Sequence, residues 1–157
     1  MKNKTLATWL TFLGGPLGLH RFYLFGFSDR WGQMLPIPTV LGLYGLRRAQ
    51  LFGLDDPWIW LLVPLLGLTI AGCALNAIVY GLMGPEKWNQ RFNPDLPIDA
   101  APGRTHWITI AAVITALLVG TTTLMASLAF GFQRYFEYQA EAVQQPATPS
   151  QVKKSGD

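Results

Sequence analysis

The sequence predicts an all-α polytopic membrane bundle of about four transmembrane helices, the second of them short, with a three-span arrangement as the alternative. Three observations predict it. Half of the 157 residues are hydrophobic and only 13% are charged, about half the charge of an ordinary soluble domain. The apolar residues are grouped: one uncharged run continues from Pro57 or Trp58 to Gly84, another from Trp107 to Phe132. Both exceed the roughly 20 residues that a hydrocarbon core of about 30 Å requires. Each also opens on tryptophan of the kind found at membrane interfaces, Trp58 and Trp60 in one and Trp107 in the other.

The first hydrophobic segment is less regular. Leu6 to Leu19 is uncharged, His20 and Arg21 intervene, and Phe22 to Phe27 is apolar again. Taken as one helix, residues 6–26 span the bilayer with Arg21 near one interface. Gly14, Gly15, Pro16 and Gly18 fall in its middle, which lipid tolerates where neighbouring helices cover the backbone. The short second span is Trp31 to Leu46, about 24 Å of helix containing Pro36 and Pro38. Local bilayer thinning can absorb the deficit; a re-entrant or interfacial segment is the competing assignment. Arg47 and Arg48 close it sharply.

The chain therefore divides into residues 1–56, a hairpin; 57–132, two further spans joined by the polar loop 85–106; and 133–157, a helix emerging into water and then a disordered tail. An amphipathic turn is expected around Glu86 to Phe92. No internal repeat is evident. Lys2 and Lys4 before an apolar stretch imitate a signal peptide, but no small-x-small cleavage site follows, so a retained first helix is expected. Counting Lys and Arg, four spans put Lys2, Lys4, Arg47, Arg48, Arg134, Lys153 and Lys154 on one side against Arg21, Arg30, Lys87, Arg91 and Arg104. That favours both termini in the cytoplasm; with three spans the preference turns to an outer N-terminus.

The basic residues are scattered around the hydrophobic runs, with no clustered stripe for nucleic acid. Cys73 is the single cysteine, expected as a small apolar packing residue. Two histidines, His20 and His106, supply too few ligands for a metal site. Ser28 and Ser127 lack a nucleophile-elbow context, and no phosphate loop or dinucleotide fingerprint exists. Neither an enzymatic activity nor a cofactor is predicted. Asp55 and Asp56, before Pro57, are expected to cap the next helix. Pro64 is expected to kink that helix.

Small residues at four-residue spacing mark packing faces: Gly14 and Gly18; Cys73, Ala77 and Gly81; Ala112, Ala116 and Gly120. These faces are expected to meet each other or a second copy of the chain. Asn76, mid-span, is expected to seek a partner on another helix.

The most informative stretch is Gly14-Gly15-Pro16-Leu17-Gly18-Leu19-His20-Arg21-Phe22-Tyr23-Leu24. With Lys4, Phe12, Leu13, Gly32 and Gln33 it resembles the TM-two domain family (two-transmembrane domain proteins), whose signature is a Gly-rich helix end, a His- or Asp-Arg-Phe-Tyr turn and a second helix. The resemblance covers about residues 2 to 48. It departs at Phe25, where the family usually has Gly, and in the second helix, where an Asp is usual. Here Arg47 and Arg48 stand nearby, with acids at Asp55 and Asp56, so an intramembrane Arg–Asp pairing is not expected. The resemblance implies a helical hairpin in the membrane. The absence of extracellular cysteines and a signal peptide implies a bacterial-type member, hence a multi-pass inner-membrane protein. It carries no agreed enzymatic activity.

Arginine costs about 2.5–3.5 kcal/mol at the centre of a membrane helix. Near the end it snorkels to headgroup phosphate, where aromatic residues such as Phe22 and Tyr23 also belong. His20, Arg21 and Tyr23 are therefore the candidate lipid- or ligand-binding residues. The expected function is a structural or interaction module packing with membrane lipid, a second copy or a membrane-protein partner. A small transporter or channel component acting as an oligomer is the alternative.

Overall fold

In a computed structural model, which describes residues 1–54, 56 and 58–144, every regular element is helical. Asp55 and the tail beyond residue 144 lie outside the described residues, and with them the cap expected at Asp55 and the expected disorder of the last dozen residues. Two stretches are long and apolar enough to cross a membrane, Ile59–Leu82 and a segment within Ala101–Glu141. The sequence predicts four.

The first predicted span is broken. Asn3 caps α1 (Lys4–Gly14), its side chain accepting from the Thr5 and Leu6 N–H groups. A 3-10 turn, Gly15–Leu17, follows, with Pro16 at its first turn. Gly18 then takes φ +76°, a left-handed conformation that only glycine adopts without strain, and α2 (Leu19–Phe25) begins. The chain reverses there. Lys2 Nζ donates to Leu24 O and the Asn3 N–H donates to the Tyr23 hydroxyl, so α1 and α2 form an antiparallel hairpin with both outer ends together. The Gly-Gly-Pro-x-Gly cluster makes a turn, not a tolerated irregularity within one helix.

The second segment is longer than predicted. α3 (Arg30–Met34) leads through Leu35, itself helical at φ −60° and ψ −35°, into α4 (Pro36–Phe52). The helix passes Arg47 and Arg48 and stops only at Gly53, φ +79°. α5 (Ile59–Leu82) continues through Pro64. The short α6 (Pro85–Phe92) realises the expected amphipathic turn, burying Trp88, Asn89 and Phe92. α7 (Trp107–Gln144) is about 57 Å long.

α5 is the hub, packing most extensively on α7, then α4, then α1. Its contacts are made by small residues on both sides. A Cβ at Gly42 or Gly45 of α4 would collide with Leu66 or Leu62, and one at Gly15 would lie 2.7 Å from Cys73 Cβ. Ala74 and Ala77 pack against Ala116 of α7. Along both long apolar windows only 22% is buried, and Leu61, Leu68, Leu75, Val79, Ile114 and Leu118 are among the exposed side chains.

Candidate functional site

The sequence singles out the turn carrying His20, Arg21 and Tyr23. α2 ends where Gly26, φ +88°, donates its N–H to Phe22 O at 3.0 Å. Three residues later Asp29 caps α3 by accepting from the Gly32 N–H at 3.0 Å. The same carboxylate receives Arg21, whose Nε donates at 2.5 Å. Arg21 thus pairs with an acid that lies between the two predicted helices, not with one near the end of the second helix, where the resemblance would look for it. The Arg21 guanidinium lies over the Phe25 ring, 5.2 Å from its centroid. Its hydrogen bond, then the Gly32 N–H, holds the Asp29 carboxyl below the usual carboxylate range.

The same construction recurs at the other end of the bundle. Arg48-x-x-Leu51-Phe52-Gly53-x-x-Asp56 repeats Arg21-x-x-Leu24-Phe25-Gly26-x-x-Asp29. Gly53 ends its helix with positive φ and donates to Ala49 O. Arg48 Nε pairs with Asp56, and its guanidinium lies 5.3 Å from the Phe52 centroid. Asp56 accepts from the Trp58 N–H at 3.0 Å, at the start of α5. A short internal repeat therefore exists where none was expected. The geometry explains it: an Arg one turn before a helix-ending Phe-Gly reaches an acid that accepts a backbone N–H at the approach to the next helix.

His20 is 2% exposed. Its ring centroid lies 6.4 Å from that of Tyr80 on α5, and its Nδ1 is buried with no hydrogen-bond partner among the described residues. Tyr23 uses its hydroxyl to hold the Asn3 N–H at 2.9 Å. Of the three candidates, Arg21 alone combines a charge with access to the surface; His20 and Tyr23 are committed to packing the hairpin.

The N-terminal residues knit this end together. Lys2 O accepts from Trp88 Nε1 at 2.9 Å and Asn93 Nδ2 at 3.0 Å. Lys4 is fully buried; its ammonium donates to Met83 O at 2.7 Å and Thr105 Oγ1 at 2.5 Å. These contacts join α1 to the end of α5, to α6 and to the start of α7. Nothing in the spacing of Lys2 and Lys4 points to those acceptors, which become neighbours only once the bundle has closed.

The packing candidates separate into two groups. Ala77, Ala116 and Gly120 lie between α5 and α7, where a Cβ at Gly120 would come within 2.7 Å of Ala74 Cβ. Gly81 faces Val113 of α7 and Thr8 of α1. Gly14 and Gly18 lie on either side of the turn: Gly14 packs on Leu19, and Gly18 lets Gly32 O approach. Asn76 is exposed, and its amide donates to Gly72 O of its own helix at 3.1 Å. Among the described residues it reaches no other helix.

A groove of about 460 Å³ between α5 and α7 is walled by Trp60, Pro64, Leu68, Leu128, Phe132 and Tyr135. It is apolar and lacks the convergent polar groups that orient a small solute. Among the described residues no group of three or more His, Cys, Asp or Glu side chains could hold a metal ion. No family model, curated protein or solved structure matches this chain.

Proposed function

We propose that the chain is a non-enzymatic integral membrane protein, a helical module that packs with lipid and with partner helices. One observation carries this reading: the two longest apolar helices are 22% buried over their most apolar windows. A core helix of a soluble domain would be mostly buried, and exposed apolar surface on this scale marks contact with lipid or protein. The TM-two resemblance over residues 2–48 agrees with a membrane hairpin and with a bacterial inner-membrane location.

The reading extends to a topology of three crossings and one re-entrant hairpin. α3–α4, α5 and α7 cross; α1 and α2 dip in and return. Arg30 to Arg48 covers about 27 Å of helix, close to a hydrocarbon core of about 30 Å. An Arg–Asp turn stands at each end of that segment, where guanidinium groups reach phosphate. The apolar groove offers no support for transport of a polar solute.

Single cysteines at Ser28, Gln50 and Gln90, in a Cys73→Ala background with an N-terminal epitope, test the topology by accessibility labelling in sealed vesicles. Ser28, Gln90 and the epitope should report one side and Gln50 the other. Ser28 opposite the epitope would mean that the first hairpin crosses the membrane. Release of the protein from membranes by alkaline carbonate would refute the membrane reading itself.

A further inference from the structure

The two Arg–Phe–Asp turns are alike in sequence and geometry, yet their surroundings differ. At the far end the Phe52 ring contacts no second aromatic ring among the described residues. At the N-terminal end Phe25 packs edge-on against Phe92 of α6, centroids 5.9 Å apart. The Arg91 guanidinium lies 5.5 Å from the Phe92 centroid, as Arg21 lies over Phe25. Two guanidinium groups are thus seated on a pair of touching rings. Arg21 spends its charge on Asp29. Arg91 is exposed and has no acidic partner among the described residues, and so is Lys87, one helical turn earlier on the outer face of α6. The Tyr80 ring packs edge-on against Phe92 as well, centroids 6.1 Å apart, so it joins the same cluster. Its hydroxyl makes no hydrogen bond to any described residue.

We infer that this surface between α2 and α6 holds the headgroup of an anionic phospholipid. The inference rests on the membrane reading above. Arg91 and Lys87 supply the uncompensated charge, Arg21 the guanidinium N–H groups that Asp29 leaves unused, and Tyr80 a neutral donor. Phe25, 45% exposed, presents an apolar face beside them for the start of an acyl chain. The chemistry is charge-assisted hydrogen bonding of guanidinium to phosphate oxygens, at the depth where aromatic rings and arginine meet the headgroups. A phosphatidylglycerol-type lipid fits better than a zwitterionic one, because Arg21, Lys87 and Arg91 outnumber Asp29 and Glu86 there and Asp29 is already paired with Arg21.

The full chain is reconstituted in phosphatidylcholine bilayers containing spin-labelled phosphatidylglycerol or spin-labelled phosphatidylcholine, and the motionally restricted fraction is compared. The wild type should prefer the anionic label. Lys87→Gln and Arg91→Gln should each reduce that preference by about fivefold, as expected for a charge contributing about 1 kcal/mol at a membrane surface. Neither side chain makes a hydrogen bond to a described residue; Lys87→Gln should melt like the wild type, and Arg91→Gln, which gives up only its place over Phe92, should remain folded. Arg47→Gln, at the far end, should change the preference little. Equal restriction of both labels, or a preference that survives the double variant, would overturn the inference while leaving the membrane reading intact. Displacement of the label by glycerol phosphate at matched ionic strength would reassign the surface to a soluble phosphate and overturn the lipid assignment. Failure to reconstitute into the bilayer at all would fall on the membrane reading instead.

Discussion

Arg21 and Arg48 are each matched to an acid eight residues later, and the two acids are held by different first partners. Asp29 is held below the usual carboxylate range chiefly by Arg21, whereas Asp56 is held there chiefly by the Trp58 backbone N–H and then by Arg48. A carboxylate with a depressed folded pKa contributes stability that is fully present above its unfolded value near 4. That contribution is lost as pH falls through the lower, folded value. Asparagine keeps an oxygen for capping but cannot pair with arginine. Asp29→Asn should therefore lower the thermal midpoint at pH 7 more than Asp56→Asn does, and both gaps should shrink progressively as the pH falls from about 4 through the lower, folded values. Melting curves of the three proteins in detergent across that range test it; a pH-independent gap would show that the charges contribute nothing. The Asp29 pairing was readable in principle, since Ser28-Asp29 just before Arg30 is a helix-start signal. Attention to acids within the second helix passes over the one that caps it.

Helix docking depends on missing side chains. Gly42 and Gly45 bring the backbone of α4 against Leu66 and Leu62 of α5, with no room for a Cβ at either place. Gly45→Leu must push α4 outward, and overpacking of this kind costs about 1–3 kcal/mol. Gly72→Ala is the control, because its Cβ would meet nothing within 4 Å. Loss of thermal stability in Gly45→Leu but not in Gly72→Ala is the expected result; equal effects would refute the close α4–α5 contact. α5 and α7 were legible because a long uncharged run has few alternatives to a long helix, and their small-residue faces follow from helical spacing. The hairpin was not legible. Gly14-Gly15-Pro16-x-Gly18 is compatible with a kinked span or a reversal, and what decides is distant: Leu24 O beneath Lys2 and Tyr23 beneath Asn3. α4 outruns the predicted span for a related reason. Arg47 and Arg48 look like an end, but arginine is a good helix former, and the helix runs on to the glycine that terminates it.

For the whole molecule, the hairpin changes the balance of charge between the two ends. With Lys2, Lys4 and Leu24 at one level, the N-terminal end carries Lys2, Lys4, Arg21, Arg30, Lys87, Arg91 and Arg104. The far end carries Arg47, Arg48 and Arg134 among the described residues, and Lys153 and Lys154 of the tail raise its count in the sequence to five. Orientation follows Lys and Arg near the spans rather than net charge, so the pairing of Arg21 and Arg48 with acids does not alter the comparison. On the proposed three-crossing arrangement the N-terminal end is expected in the cytoplasm and residue 144 outside. Four crossings would instead put both ends of the chain inside. Fusions after residue 144 separate the two. Alkaline phosphatase should be active there and green fluorescent protein dark, with the reverse pattern for fusions at residue 90. A bright fluorescent protein after residue 144, with the N-terminal epitope on the same side, would restore the four-span arrangement. The same orientation puts Arg91 and Lys87 in the cytoplasmic leaflet, where anionic lipid gives the negative surface potential that basic side chains seek. Moving charge should therefore move the protein. Replacing Lys87, Arg91 and Arg104 with Gln while adding Lys at Gln50 and Leu54 should reverse the pattern in the same fusions, because with Lys153 and Lys154 of the tail counted the comparison becomes four basic residues against seven.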